Sequence, residues 1–226
     1  MCNVWSLPCG TRSSEALMLK RLFDVLGSGV GLLLLSPLLL GIALWIKLDS
    51  RGPVFFRQER VGRFGVPFRI HKFRSMIDGA PRNGPQLTVG ADPRITRVGQ
   101  FLRRTKLDEL PQLIDVLAGT MSLVGPRPEV PRYVAMYPAE LRDKVLSVRP
   151  GITDPASIEY RDESTLLACA TDPERVYIEQ VMPVKLRYAA EYVDHMSLTN
   201  DVRLIGLTLK ALIGREPERG RSDAVD

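Results

Sequence analysis

The residues best suited to chemistry in this 226-residue chain are two adjacent carboxylates, Asp108 and Glu109. Arg103 lies upstream of them, and Arg127 lies downstream between two prolines. Arginine side chains and helix N-termini both bind phosphate, and a carboxylate that shares such a site needs a nearby cation or metal ion. The pattern therefore indicates phosphate chemistry. The alternative is that Asp108 only caps a helix and that the arginines are solvated surface groups.

A helix is predicted to position the two acids. Four apolar residues follow them at helical spacing: Leu110, Leu113, Ile114 and Leu117. This spacing is typical of a helix that packs on a core. A start at Thr105 would place Pro111 in the helix interior at a cost of about 3 kcal/mol, whereas a start near Asp108 places it in the tolerant first turn. We therefore expect both acids at the helix N-terminus and the helix end at Gly119.

The apolar run at 22–46 predicts a membrane helix. At about 1.5 Å per residue it is long enough to cross a hydrocarbon core of about 30 Å. Pro37, preceded by Ser36, predicts a break in this helix. Basic residues flank the run on both sides: Lys20, Arg21, Lys47 and Arg51. Because positive charge favours the cytoplasmic side, we expect a re-entrant helix that turns back at Ser36 and Pro37, with a spanning anchor as the alternative. Asp24 is expected to pair with Arg21 or to stay at headgroup depth.

The rest of the chain predicts an α+β, mainly helical fold. Short strands are expected on either side of Gly62 and Gly65, and further helices at 130–148, broken at Pro138, at 184–192 and at 201–213. The predicted organisation is a flexible N-terminus at 1–17, a membrane helix-break-helix at 18–50, a cytoplasmic catalytic domain with interfacial helices at 51–214, and a flexible tail at 215–226.

The distribution of charge and the number of cysteines exclude some classes of protein. The net charge is +5, and positive charge is concentrated in a strip next to the apolar run: Arg51, Arg57, Arg60, Arg63, Arg69, Lys72 and Arg74. The chain has 3 cysteines without metal-ligand spacing, which argues against a disulfide framework or a zinc site and fits a reducing cytoplasm.

Two motifs around these residues resemble those of a known protein family. The hexapeptide LDELPQ at 107–112 and the octapeptide MSLVGPRP at 121–128 resemble the signature of the bacterial sugar transferase family, the monotopic phosphoglycosyl transferases that act on polyprenyl phosphate. The resemblance extends over about residues 20–213 and includes KRLFD at 20–24, SP at 36–37, FRQERVG at 56–62, HKFRSM at 71–76, DPRIT at 92–96 and RPGIT at 149–153. The chain resembles the minimal, single-domain form of the family.

The resemblance implies a reaction and a place for it. A sugar 1-phosphate would pass from a UDP-sugar to undecaprenyl phosphate, with release of UMP, at the cytoplasmic face of the bacterial inner membrane, as the first membrane step of glycoconjugate synthesis. Asp108 would form a covalent sugar-phosphoryl intermediate, and Glu109 would hold Mg²⁺ or orient Asp108, so that both acids are candidate metal ligands. The implied substrate-binding residues are Arg103, Arg127, Arg149, Arg161 and Lys72, the last of which is equally suited to lipid headgroups.

One block departs from the family. Many relatives continue GWAQVNGR after Thr153, whereas this chain reads DPASIEYR, and only Arg161 stays in register. The sugar specificity of those relatives is therefore not carried over. A non-catalytic, membrane-tethered basic adaptor that binds anionic lipid or nucleic acid is the rival hypothesis, but it leaves the acid pair unexplained, and we expect no nucleic-acid partner. A glycosidase pair is excluded because adjacent helical side chains diverge by about 100°. The sequence leaves open whether the protein is a homo-oligomer.

Overall fold

The computed structural model describes residues 14–79, 92–160 and 163–213. Helices dominate these ranges, as predicted. The helices before residue 150 are α1 (Ser14–Asp49), α2 (Arg97–Thr105), α3 (Gln112–Ala118), α4 (Pro131–Val134) and α5 (Ala139–Val145). The later helices are α6 (Pro155–Glu159), α7 (Glu163–Ala168), α8 (Pro173–Val176), α9 (Met182–Asp194) and α10 (Leu198–Ile213), with a π-helical turn at Tyr177–Val181 before α9. The strands are β1 (Phe55–Val61), β2 (Pro67–Phe73), β3 (Ser122–Val124) and β4 (Gly151–Thr153).

Strands β1 and β2 form the predicted hairpin. They pair antiparallel from Phe55 opposite Phe73 to Val61 opposite Pro67. A 3₁₀ turn at Arg63–Gly65 joins them, and Phe64 in this turn has a left-handed backbone with φ of 59°. Phenylalanine rarely adopts this conformation, so the surrounding contacts must hold the turn in place.

Strands β3 and β4 form a short parallel pair that the sequence did not predict. Ser122 lies opposite Gly151, and Val124 lies opposite Thr153. Beyond them the backbones of Gly125 and Gly151 touch so closely that a Cβ on Gly151 would lie 2.1 Å from the Gly125 nitrogen. Only glycine fits this crossing, which fixes the position of the loop that carries Arg127.

Helix α1 is longer and more continuous than predicted. It begins at Ser14 rather than near residue 18, and it runs through Pro37 without division into two helices. The Ser36 hydroxyl donates to the carbonyl of Leu33 at 2.8 Å, within the turn that Pro37 disturbs. The helix is long and apolar enough to cross a membrane, with a mean hydropathy of 2.3 over its most apolar window. The re-entrant course of this helix in the membrane stays a prediction, with a spanning helix as the alternative.

The packing of α1 corrects the expectation for Asp24. Its carboxylate is buried, and Oδ1 accepts hydrogen bonds from the Ser122 hydroxyl at 3.0 Å and from the Leu123 N–H at 3.1 Å. Arg21 instead donates to the carbonyls of Val116 and Leu117. The expected pairing with Arg21 was wrong because β3 supplies donors that satisfy the acid inside the protein.

The remaining predicted helices are confirmed. Pro138 separates α4 from α5, and α9 and α10 cover the segments predicted at 184–192 and 201–213. A core around Tyr133, Tyr177 and Leu186 joins α4, α5 and α9. Of the predicted flexible ends, residues 1–13 and 215–226 lie outside the described residues.

Candidate active site

The two acids lie in a turn of their own rather than in the helix that follows them. Helix α2 ends at Thr105, and Lys106 adopts a left-handed backbone with φ of 58°. A 3₁₀ turn at Leu107–Glu109 then carries both acids, and α3 begins only after Pro111. Because proline has no N–H to donate, the ladder of hydrogen bonds is interrupted at Pro111. The predicted helix end at Gly119 is confirmed. The predicted start near Asp108 was wrong: Pro111 lies before α3 and not in its first turn, and the acids lie in the separate 3₁₀ turn.

Glu109 is held by two cations. Lys72 Nζ lies 2.8 Å from Oε1, and the Arg127 guanidinium forms a two-pronged contact with both carboxylate oxygens, with Nη1 at 3.1 Å from Oε2. Burial raises the pKa of Glu109, but the charges of Arg127 and Lys72, with their hydrogen bonds, outweigh it and hold the pKa well below its usual range. Glu109 is therefore ionised, and its oxygens are occupied.

The carboxylate of Asp108 differs from that of Glu109 in its hydrogen bonding and in the direction of its pKa shift. It is buried, with 8% of its surface exposed, and its Oδ1 has no hydrogen-bond partner among the residues that the structure describes. Burial raises the pKa of Asp108, the neighbouring Glu109 charge raises it further, and Lys72 and Arg103 act against this rise. An unengaged, buried carboxylate oxygen is costly for stability and available for a ligand, a metal ion or an electrophile.

Two of the cations near the acids, Lys72 and Arg103, are desolvated. Burial lowers the pKa of Lys72 and also that of Arg103, whose Nε donates to the Ser75 hydroxyl at 2.8 Å. The charges of Glu109 and Asp108 raise the pKa of both groups again. Charges kept away from water interact more strongly with an incoming anion, so this arrangement suits phosphate groups.

A cavity of about 1080 Å³ joins these groups. The acid pair lines it together with Lys72, Arg103 and Arg127, so the structure brings together these five predicted site residues. Its other side is rich in tyrosine: Tyr133, Tyr137, Tyr160 and Tyr177. The volume lies at the upper end of small-molecule sites and offers both a cationic and an aromatic lining.

Glu129 is a site residue whose role the sequence did not reveal. It follows Arg127 by two positions, and its Oε1 accepts from Arg60 Nη1 at 3.0 Å while its Oε2 accepts from the Tyr177 hydroxyl at 2.5 Å. Its backbone carbonyl also accepts from the N–H of Val61 at 2.9 Å. Glu129 thereby ties the loop of Arg127 to the hairpin and to the tyrosine side of the cavity. Its position after the PRP tripeptide was a signal, but its partners are remote in sequence.

Arg149, another predicted phosphate ligand, is not in this group. Arg149 is not among the described residues that line the cavity, and its Nε donates to the carbonyl of Gly119 at 2.9 Å, at the opposite end of α3. Arg161 lies outside the described residues. A substrate-binding role for either residue stays a prediction.

The acid pair fits one kind of metal site. Within the described ranges no group of three or more His, Cys, Asp or Glu side chains could hold a metal ion. Mg²⁺ in phosphate-handling sites is commonly held by one or two carboxylates together with phosphate oxygens of the substrate. The Asp108 carboxylate is only partly engaged by described residues, and Glu109 is adjacent. The residues therefore fit a Mg²⁺ shared with substrate and do not form an all-protein cage.

Comparison with known proteins gives a consistent result. The family described as bacterial sugar transferase matches residues 15–215. The chain is 38% identical over 197 residues to the UDP-N-acetylgalactosamine-undecaprenyl-phosphate N-acetylgalactosaminephosphotransferase of Aeromonas hydrophila, covering 86% of this chain and 44% of that protein. It is 41% identical over 197 residues to the UDP-glucose:undecaprenyl-phosphate glucose-1-phosphate transferase of Escherichia coli (strain K12), covering 85% of this chain and 39% of that protein. A protein of the same name from Caulobacter vibrioides is 38% identical over 200 residues, covering 86% of this chain and 69% of that protein. The chain thus spans less than half the length of the first two relatives.

Proposed function

The chain belongs to the bacterial sugar transferase family, and from that premise we propose that it transfers a sugar 1-phosphate from a UDP-sugar to undecaprenyl phosphate and releases UMP. The observation that carries the proposal is the Asp108 carboxylate, which has an unengaged oxygen in the wall of a cavity lined by Lys72, Arg103 and Arg127. An acid nucleophile at phosphorus needs such cations, because the phosphate it attacks is itself negatively charged.

We propose that Asp108 acts as a covalent nucleophile. Its Oδ1 attacks the phosphorus that bears the sugar, and the bond from this phosphorus to the UMP oxygen breaks, so that UMP leaves and a sugar-phosphoryl aspartate remains. A phosphate oxygen of undecaprenyl phosphate then attacks the same phosphorus and displaces Asp108. The product is undecaprenyl-diphosphate-sugar, and the carboxylate is restored.

The neighbouring residues support this course through charge. Arg127 and Lys72 already contact Glu109. Glu109 therefore positions both cations at the place where the diphosphate oxygens would bind. Arg103, fixed by Ser75, faces the same cavity. Bound Mg²⁺, held by substrate oxygens, by Glu109 and by the Asp108 oxygen that does not attack, would supply further neutralisation of the diphosphate and of departing UMP. In a water-poor site these fixed charges stabilise the transition state more than they would in water.

We further propose that α1 enters and leaves the membrane from the cytoplasmic side of the inner membrane. Large apolar side chains are exposed along much of it, including Leu33, Leu34 and Leu40. Near its start Arg21 contacts the end of α3, and near its end Ile42 and Ile46 pack with Phe73 of the same domain. A helix that spanned the bilayer would place one of these ends far from the domain. Cysteine labelling at the exposed positions 15 and 140 from the cytoplasmic side should therefore modify both, and replacement of Ser36 and Pro37 by leucine should shift the helix towards spanning.

The covalent step has a direct test. Purified protein incubated with a panel of UDP-sugars, without the lipid acceptor, should gain the mass of one sugar phosphate on Asp108 with the matching donor. The Glu109→Gln variant should form this adduct more slowly, and on the same residue. UMP release that requires undecaprenyl phosphate, with no adduct at any time, would instead indicate direct attack by the lipid. No UMP release with any donor would favour the adaptor hypothesis.

A further inference from the structure

The C-terminal end of α3 carries a second group of cations, Arg21, Arg63 and Arg149, here named the arginine cluster. The contacts that assemble it are explicit. Arg149 Nε donates to the carbonyl of Gly119, and Arg21 lies over the same glycine, since a Cβ there would be 3.2 Å from Arg21 Nη2. Arg63 Nε donates at 2.9 Å to the carbonyl of Ser147, two residues before Arg149. Three remote segments therefore bring their guanidinium groups to one place.

The arginine cluster has little negative charge around it. None of its members forms an ion pair within residues 14–79, 92–160 and 163–213, where their hydrogen-bond acceptors are backbone carbonyls. Burial lowers the pKa of Arg149, and the charges of Arg21 and Arg63 lower it further, opposed by the buried Asp24. The carbonyls at the end of α3 favour cations, but they do not neutralise three of them. Arg63 and Arg149 each use only Nε in these bonds, which leaves both terminal nitrogens for a further acceptor.

Exposed apolar side chains border the cluster on two sides. Phe64 and Val66 at the tip of the hairpin are 70% and 62% exposed, and the Phe64 N–H donates to the carbonyl of Leu146, which anchors this tip beside Arg149. On the other side, Met18 and Leu22 of α1 are exposed around Arg21. Apolar groups next to arginines are typical of surfaces that lie at the level of lipid headgroups, with side chains in the acyl boundary and cations at the phosphates.

We propose that the arginine cluster binds the phosphate of an anionic membrane phospholipid, with Phe64 and Val66 inserted beside its acyl chains. The site is separate from the cavity, because the cavity lies with Asp108 before the start of α3 whereas the cluster lies past its end. It gives Arg149 a ligand other than the sugar donor. The inference rests on the proposed membrane setting of α1 and not on the transfer reaction.

The test uses the full chain purified in a neutral detergent. Dihexanoyl phosphatidylglycerol, kept below its micelle concentration, should raise the thermal midpoint of the wild-type protein, and dihexanoyl phosphatidylcholine or inorganic phosphate should not. Each basic residue near an anionic lipid surface contributes an effect that corresponds to about fivefold in affinity, so Arg63→Gln should weaken phosphatidylglycerol about fivefold. Arg63→Lys should retain most of the affinity. Arg142→Gln, a substitution at an exposed arginine outside the cluster, is the matched control and should behave as wild type.

Arg149→Gln separates this site from the catalytic cavity. If Arg149 belongs to the lipid site, this variant loses affinity for phosphatidylglycerol about fivefold and keeps wild-type affinity for UMP. Weakened UMP binding with unchanged phosphatidylglycerol binding would return Arg149 to the substrate and overturn the proposal. Equal stabilisation by phosphatidylcholine, equal stabilisation by inorganic phosphate, or wild-type phosphatidylglycerol affinity in Arg63→Gln would each overturn it as well.

Discussion

The two ends of the segment 107–119 use arginine in opposite ways. At the start, Arg127 meets a protein carboxylate, Glu109, and shares it with Lys72. At the end, Arg21 and Arg149 meet only backbone carbonyls of the last helical turn and Gly119. The second arrangement agrees with the helix dipole, which favours bases at the end of a helix, whereas the acids lie in the 3₁₀ turn before α3. The difference is that the first end supplies its own counter-charge and the second does not.

This difference has a functional meaning. Cations that already hold a carboxylate stay ordered without substrate, and they can exchange or share partners when phosphate arrives. Cations without a carboxylate attract an anion from outside the protein, and they suit a surface that is permanently next to one. The placement of counter-charges, more than the number of arginines, therefore distinguishes a site for turnover from a site for attachment.

The largest effect that this comparison predicts is at Asp108. Asp108→Asn removes the nucleophile but keeps its shape, so UMP release should fall by at least about 10³-fold. Folding should persist, because the substitution also removes a buried charge whose Oδ1 lacks a partner. Steady-state UMP release and the thermal midpoint would be measured together. Near-normal turnover in this variant would contradict the covalent assignment.

The two arginine sites can be compared through one pair of substitutions. Arg127→Gln leaves Glu109 with Lys72 alone and should cost about 2 kcal/mol of stability, a value reduced for the partial exposure of Arg127, and should weaken UMP binding about tenfold. Arg149→Gln removes one hydrogen bond and should cost about 1 kcal/mol. Denaturation in detergent and UMP titration would measure both. If Arg149→Gln weakened UMP binding as much as Arg127→Gln does, the two sites would not be distinct.

The pH dependence of stability should reveal the raised pKa of Asp108, at the start of the segment 107–119. Burial, and then repulsion from Glu109, raises the pKa of Asp108 above its ordinary value of 3.8. As the pH rises through the window above 3.8, the unfolded carboxyl is already ionised while the folded one keeps its proton, so the folded state binds more protons and stability falls. The loss can reach about 1.4 kcal/mol per pH unit for one proton. Asp108→Asn should lack this fall, which thermal midpoints measured across the window would show.

The smallest effect concerns the second end. Gly119 has a φ of 89°, and a Cβ there would press on Arg21. Gly119→Ala should cost about 1 kcal/mol and shift Arg21 slightly, with no effect on the adduct at Asp108. Gly79 also has a positive φ, but a Cβ there would meet open space, so Gly79→Ala is the control for backbone strain alone. Equal lipid affinity in both variants would show that the position of Arg21 does not matter for the cluster.

Local rules predicted the parts of the fold that depend on neighbours in sequence. The end of α3 at Gly119, the hairpin turn and the break at Pro138 follow from backbone geometry, and all are confirmed. The long-range pairs could not be derived in this way. The contact of Asp24 with Ser122 spans 98 residues, and nothing near either residue indicates the other.

The residues of the candidate site show the same distinction between local and long-range structure. Lys72, Arg103 and Arg127 were predicted with the acids, and they line one cavity. Arg149 was predicted with them from its block, but the parallel pairing of β4 with β3 places the Arg149 backbone against Gly125 and sends its side chain to Gly119. A sequence motif shows which residues are neighbours along the chain, whereas strand pairing decides which side of the protein each of them reaches.

The buried contact between Lys20 and Asp201 has a consequence for biosynthesis. Lys20 Nζ lies 2.6 Å from Asp201 Oδ2, and the Tyr192 hydroxyl donates to the other oxygen of the same acid at 2.8 Å. The first two residues are 181 positions apart, so at about 5 to 20 residues per second the ribosome needs roughly 10 to 40 s to make the partner of Lys20. For most of that interval α1 is complete and apolar, while the acid that anchors its first turns does not yet exist. On the proposed membrane setting of α1, the nascent chain places α1 in lipid before α10 exists, and α10 then fixes the first turns of α1 through Asp201.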